Sequence, residues 1–110
     1  MRLLEFEDER GRCPFRAWFR SLDAAAAAKV NTALTRLELG NTSNVKGVGE
    51  GVLELKMDFG PGYRVYFGMD GADAVILLCG GTKTRQSRDI DVARTYWRSY
   101  KRRKNAKGWH

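Results

Sequence analysis

The sequence predicts an α+β domain in which an N-terminal helical hairpin packs on a curved antiparallel sheet of about four strands, followed by a basic C-terminal helix. Three observations carry this. Residues 52–58 and 63–68 alternate apolar and polar on either side of Gly60-Pro61-Gly62, the pattern of two half-buried strands joined by a tight reversal. Val75–Cys79 is apolar at every position, as a strand covered on both faces would be. Residues 14–38 instead carry apolar residues at helical spacing.

Taken in order, Leu3–Glu7 alternates weakly and reads as a short first strand. Asp8–Arg12 contains Gly11 and reads as a turn. Pro14 suits an early helical position, where its missing N–H costs nothing. Phe15, Trp18, Phe19 and Leu22 then recur at i, i+3, i+4 and i+7, a spacing that points to core packing more than to base stacking. Asp23 can cap a second helix, which begins with the alanine run 24–28 and continues its stripe through Val30, Ala33, Leu34 and Leu37. Lys29, Arg36 and Glu38 face away from that stripe. Gly40-Asn41 supplies a left-handed end.

Residues 41–51 read as a Gly- and Asn-rich loop holding Lys46. The three glycines at 47, 49 and 51 lack the lysine and following helix of a phosphate loop. In the meander beyond, Leu53, Leu55 and Met57 share a face with Tyr63, Val65 and Phe67. Glu54, Lys56, Arg64 and Tyr66 lie on the other face. Asp70-Gly71 marks a second hairpin. Gly80–Arg88 is a loop bearing Lys83, Arg85, Gln86 and Arg88. From Asp89 to about Lys104, Ile90, Ala93, Tyr96, Trp97 and Tyr100 form one helical stripe, and Asn105–His110 reads as a frayed end.

The length of 110 residues fits one domain, 1–110. Cys13 and Cys79 have no motif spacing, so a reducing cytoplasm is the expected setting. No apolar run approaches a membrane span and no apolar signal core opens the chain, so neither membrane nor secretion is expected. The net charge of +7 is unevenly placed: residues 1–93 balance, whereas 94–110 carry seven Lys/Arg and no acid. Such an arm suits phosphate-rich partners, although a solvated helix end would look the same.

The only histidine is His110, which argues against a histidine triad, a histidine metal site or a histidine acid–base pair. Glu54 and Asp58 show no ligand-like spacing and suit salt pairing with Lys56 or Arg64. What remains is basic: Lys46, Lys56, Arg64, Lys83, Arg85 and Arg88, with Tyr63 and Tyr66. Such a set can serve RNA phosphodiester cleavage, because the substrate's own 2′-hydroxyl is the nucleophile. The protein then orients it, stabilises the phosphorane and assists two proton transfers. A basic sheet face can equally be a binding surface alone.

Several blocks carry a resemblance. Gly40-Asn41, Val45-Lys46, Gly49-Glu50-Gly51-Val52, Glu54-Leu55-Lys56, Gly60-Pro61-Gly62-Tyr63-Arg64-Val65-Tyr66-Phe67 and Leu77-Leu78-Cys79-Gly80-Gly81, with Lys83, Gln86 and Asp89-Ile90, resemble the RelE/ParE superfamily of toxins, in its HigB-like, phage-Gp49-related branch. The resemblance implies two helices on a curved antiparallel sheet and the toxin of a type II toxin–antitoxin pair. Many members cut mRNA in the ribosomal A site without a metal, and no cofactor is expected. The implied partners are a cognate antitoxin, typically a helix-turn-helix protein from the adjacent gene, the ribosome with its mRNA, and operator DNA through the antitoxin only.

By the same resemblance Arg64 matches the arginine that contacts the scissile phosphate, Lys56 an assisting lysine, and Lys83 a loop cation. Lys56, Arg64, Lys83 and Arg85 are the expected catalytic group. Lys46, Tyr66, Gln86 and Arg88, with Arg98, Lys101, Arg102 and Arg103 of the basic arm, are the expected RNA contacts. The chain departs from the pattern at three positions. Thr84 stands where RelE has an arginine, Ile90 where it has the catalytic tyrosine, and Thr82 where the branch usually has aspartate. A ParE-like poison of DNA gyrase and a non-catalytic RNA-binding or operon-regulating domain are the alternatives.

Overall fold

The computed structural model describes residues 1–106. Asp23 caps the second helix as its chemistry demands, its carboxylate accepting from the Ala26 N–H at 2.8 Å. The elements run β1 (Arg2–Glu5), α1 (Pro14–Arg20), α2 (Ala24–Glu38), β2 (Val45–Gly49), β3 (Val52–Met57), β4 (Tyr63–Asp70), β5 (Ala74–Thr82), a 3-10 turn (Lys83–Arg85) and α3 (Gln86–Ala106). The sheet order is β1-β5-β4-β3-β2.

Two expectations about the sheet are corrected. It has five strands, because Val45–Gly49, read as loop, pairs antiparallel with β3. It is also mixed, because β1 runs parallel to β5, with Leu3 opposite Val75. The α1–α2 excursion carries the chain from β1 at one edge of the sheet to β2 at the other, and the antiparallel meander from β2 to β5 then brings β5 back beside β1 in the same direction.

The sheet lies between two layers of helix. On one face α1 and α2 bury Phe15, Val30, Leu34 and Leu37 against Leu55, Met57, Val65, Phe67, Val75 and Leu77. On the other, α3 buries Ala93 and Trp97 against Phe6, Val52, Tyr66, Ile76, Leu78 and Cys79. β5 contributes to both cores, as its unbroken apolar run requires. A register shift opposite Tyr66 and Phe67 lets β5 place the consecutive residues Leu78 and Cys79 on the same side. Trp18, Phe19 and Trp97 are packed into these cores as their helical spacing indicated.

α3 starts three residues earlier than Asp89 and runs to Ala106. Asn105 and Ala106, expected to fray, are therefore helical; the rest of that stretch, including His110, lies outside the described residues. Trp97 is seated where Gly68 offers no side chain: a β-carbon there would fall 2.6 Å from its ring. The C-terminal turns are tied to the sheet by Tyr100 and Lys104, both of which donate to the Asp70 carboxylate. That pairing holds Asp70 below its ordinary carboxylate range, Lys104 contributing most. No helix among the described residues is long and apolar enough to cross a membrane.

Candidate phosphate-binding rim

Strand register decides which polar side chains meet. Lys46, Glu54, Tyr66 and Cys79 lie in one row across β2, β3, β4 and β5, and Lys56, Arg64 and Gly81 in the next. α3 covers the β5 side of the first row. Glu54 is fully buried, which is costly for a carboxylate unless it is paired. Its Oε2 accepts from Gln86 Nε2 at 2.8 Å. Its Oε1 lies 3.7 Å from Lys46 Nζ and 3.9 Å from Arg64 Nε. Arg64 is held at its other end as well, donating from Nη1 to the Gly62 carbonyl at 2.7 Å. The guanidinium is thus pinned between a buried anion and a backbone oxygen.

Gly62 also joins Arg64 to the loop after β5. It has φ +75°, and a β-carbon there would lie 3.1 Å from Arg64 Nη1 and 3.2 Å from Lys83 Cβ. Glycine is what allows the two cations to close on the same turn. The Lys83 N–H donates to the Pro61 carbonyl at 3.3 Å, fixing the approach. Lys56, directly across the β3–β4 pair from Arg64, is exposed and has Asp58 3.4 Å from its Nζ. Arg85 is exposed on the 3-10 turn that begins with Lys83. Lys56 and Lys83 are therefore gathered beside Arg64 at one end of the sheet, with Arg85 two residues along.

The expected RNA contacts divide. Tyr66 is fully buried and offers no face to a base, which corrects its placement on an open surface. Burial drives its hydroxyl well above the usual phenol range, and the Glu54 charge adds to this, so it stays protonated. Gln86 is likewise turned inward, onto Glu54. The basic segment is not a free arm. Arg98 donates to Glu50 at 2.7 Å, Arg103 donates to the Glu7 carbonyl and lies over the Phe6 ring, and Lys101 lies over Trp97. Lys46, Arg88 and Arg102 are exposed, Lys46 with its head toward Glu54.

Two carboxyls, one buried and one half-buried, matter more than the sequence suggested. The sequence marks Glu54 for salt pairing and it does face Arg64, but its burial and its contacts with Lys46 and Gln86 depend on β2 and α3. Asp89 packs against Gly81 with Oδ2 buried and without a hydrogen-bond partner. Burial pushes its carboxyl up, while Arg85 and Arg88 pull the other way. Cys79 beneath it is pushed up to about 12, chiefly by burial. Among the described residues no three His, Cys, Asp or Glu side chains come together as a metal-binding set.

The rim offers a phosphate the exposed side chains of Lys56 and Lys83, and the Arg64 guanidinium beside them, in a residue only 5% exposed, adds fixed positive charge that stabilises charge developing there. Two comparisons bear on what it serves. A family model described as "Phage derived protein Gp49-like (DUF891)" matches residues 17–101. An uncharacterized protein of Haemophilus influenzae (strain ATCC 51907 / DSM 11121 / KW20 / Rd) is 43% identical over 81 residues, 73% of this chain and 82% of that protein.

Proposed function

The chain belongs to the phage-derived Gp49-like family, a family associated with the toxins of toxin–antitoxin systems, and from that premise we infer that it is a RelE/ParE-type toxin that cleaves mRNA on the ribosome. The observation that carries the reading is Arg64, anchored on buried Glu54 and the Gly62 carbonyl with Lys83 on the same turn. In the proposed reaction the 2′-hydroxyl attacks the adjacent phosphate. A 2′,3′-cyclic phosphate forms as the bond to the 5′-oxygen breaks. Arg64 neutralises the phosphorane, and Lys83 or Arg85 supplies charge or a proton to the leaving oxygen. Lys56 orients the phosphate or takes the 2′ proton. Tyr66, buried and protonated, stays outside the proton transfers.

Substrate positioning falls to the ribosome, which makes free RNA a poor substrate. The antitoxin, a helix-turn-helix protein from the neighbouring gene, would neutralise the toxin and supply operator binding, and the pair would act in the cytoplasm.

The test is primer extension on a reporter mRNA in a purified translation system, with and without ribosomes. Wild-type protein is expected to cut only translated message. Lys83→Ala, a change at an exposed side chain, should slow cutting by about 10²–10³-fold, the usual loss for one charge-stabilising donor. Arg64→Ala should abolish it; a thermal melt separates that loss from unfolding, since Arg64 also faces Glu54. A wild-type protein that leaves message intact and translation unimpaired would overturn the nuclease reading. It would favour a gyrase poison of the same fold, for which Thr84 and Ile90, in place of the RelE arginine and tyrosine, already speak.

A further inference from the structure

A second basic feature borders the rim and, Lys56 apart, has no role in the chemistry above. Between α2, the α2–β2 loop and the end of β3 lies a groove of about 270 Å³, near the small end of the ~300–1,000 Å³ typical of ligand clefts. Lys29 and Arg36 of α2 line it on one side and Lys56 on the other, with Asn41, Ser43 and Asn44 at the loop. Lys29 and Arg36 are exposed, and neither forms an ion pair among the described residues. The one acid in the groove, Asp58, is already beside Lys56. Lys56 is thus shared: it lines this groove and is the cross-strand neighbour of Arg64.

We propose that this groove holds the single-stranded RNA next to the cleaved bond, with Lys29 and Arg36 taking backbone phosphates and Lys56 joining the groove to the Arg64 rim. Lys29 and Arg36 are seven residues apart on one helix, about 10 Å along its axis. That separation suits phosphates at successive points along a strand. The Lys29 ammonium stands 5.4 Å from the centre of the Phe59 ring, which limits its wandering. Asn41 uses its side-chain oxygen to accept from Ser43 N–H and Oγ, which leaves its amide NH₂ for a ribose or base edge. The loop therefore adds neutral hydrogen bonding to a cationic wall.

The function of the groove rests on the nuclease reading, but its affinity for RNA does not, so two measurements separate them. The first is fluorescence anisotropy of a short labelled single-stranded RNA at low salt, comparing wild type, Lys29→Glu/Arg36→Glu and the control Arg10→Glu/Arg20→Glu. The control makes the same charge change at exposed arginines outside the groove. Expected is at least about tenfold weaker binding by the groove variant relative to the control. At about 0.7 per phosphate for single strands, the log–log salt slope should shrink by about 1.4. Lys29→Gln/Arg36→Gln, which removes charge without reversing it, should lie between wild type and the reversal variant.

The second measurement is the translation assay. The groove variant should need about tenfold more protein for half-maximal cutting, with the rate at saturation retained, as expected for lost uniform binding. If wild type cuts and the groove variant matches the control in both assays, the groove proposal is wrong. If wild type does not cut but the anisotropy difference holds, the nuclease reading falls and the RNA groove stands.

Discussion

Replacing Glu54 by alanine would leave the Arg64 guanidinium beside an uncompensated cavity and Gln86 without its acceptor. Breaking a buried charge pair from one side typically costs about 3–5 kcal/mol, so Glu54→Ala should lower the unfolding free energy by that order, seen as a lower urea midpoint at unchanged m. Glu54→Gln keeps the volume and an acceptor oxygen and should cost less than half as much. Equal midpoints for Glu54→Ala and wild type would remove Glu54 as the anchor of Arg64. Asp89 poses the opposite case. Its carboxyl titrates above the ordinary 3.8 because folding desolvates it. The folded chain then holds that proton more tightly than the unfolded one, and stability falls as pH rises from 3.8 through the folded value. Asp89→Asn should raise the melting temperature at neutral pH, and the gain should fade as pH drops below 3.8. A variant less stable at neutral pH, with the loss fading as pH drops below 3.8, would mean that the Asp89 charge at the start of α3 outweighs its desolvation. At this scale the sequence shows where Arg64, Lys56 and Lys83 lie, because they sit in recognisable blocks. Tyr66 and Gln86 were misplaced because alternation assigns a side chain to a face without saying what covers that face.

The elements that cover it are α3 on one side and the α1–α2 pair on the other, and glycines set how closely they approach. Gly68→Ala would put a β-carbon 2.6 Å from the Trp97 ring, and overpacking of this kind costs about 1–3 kcal/mol. Amide exchange should quicken along Gln86–Ala106. Trp97→Leu should relieve the clash, so the double variant should be less destabilised than the sum of the two singles; strict additivity would show that Gly68 is not where α3 rests. Helices α1 and α2, strands β3 to β5 and the apolar stripe of α3 were all readable, because each has a strong period or an identifiable turn. β2 was not: Val-Lys-Gly-Val-Gly has two glycines in five residues, and only pairing with β3 makes it a strand. The parallel placement of β1 and the shift opposite Tyr66 are long-range outcomes with no local signature. The start of α3 was hidden for a related reason. Its first residue, Gln86, reads as a loop residue until its contact with Glu54 is seen.

For the molecule as a whole, the question is whether net charge or its placement governs contact with RNA. The chain carries +7, and the sequence assigns that surplus to residues 94–110. The fold redistributes its usefulness. Arg94 and Arg98 face Glu50, Lys104 faces Asp70, and Arg103 is spent on the Glu7 carbonyl. Lys83, Arg85 and Arg88 form no ion pair among the described residues and lie at the end of the sheet where Arg64 is fixed. Charge reversal at two sites can distinguish the two accounts. Arg85→Glu/Arg88→Glu and Arg98→Glu/Lys101→Glu change net charge equally. If total charge rules, both pairs should weaken RNA binding alike, since each removes two counterion-releasing cations. If placement rules, the Arg85/Arg88 pair should lose about tenfold more affinity in anisotropy and cut translated message more slowly. The Arg98/Lys101 pair should instead show a stability loss of about 1 kcal/mol or less, the worth of an exposed ion pair. The fold predicts the second outcome, because Arg98 already donates to Glu50 and Lys101 is drawn over the Trp97 ring, whereas Arg85 and Arg88 are exposed and form no ion pair among the described residues.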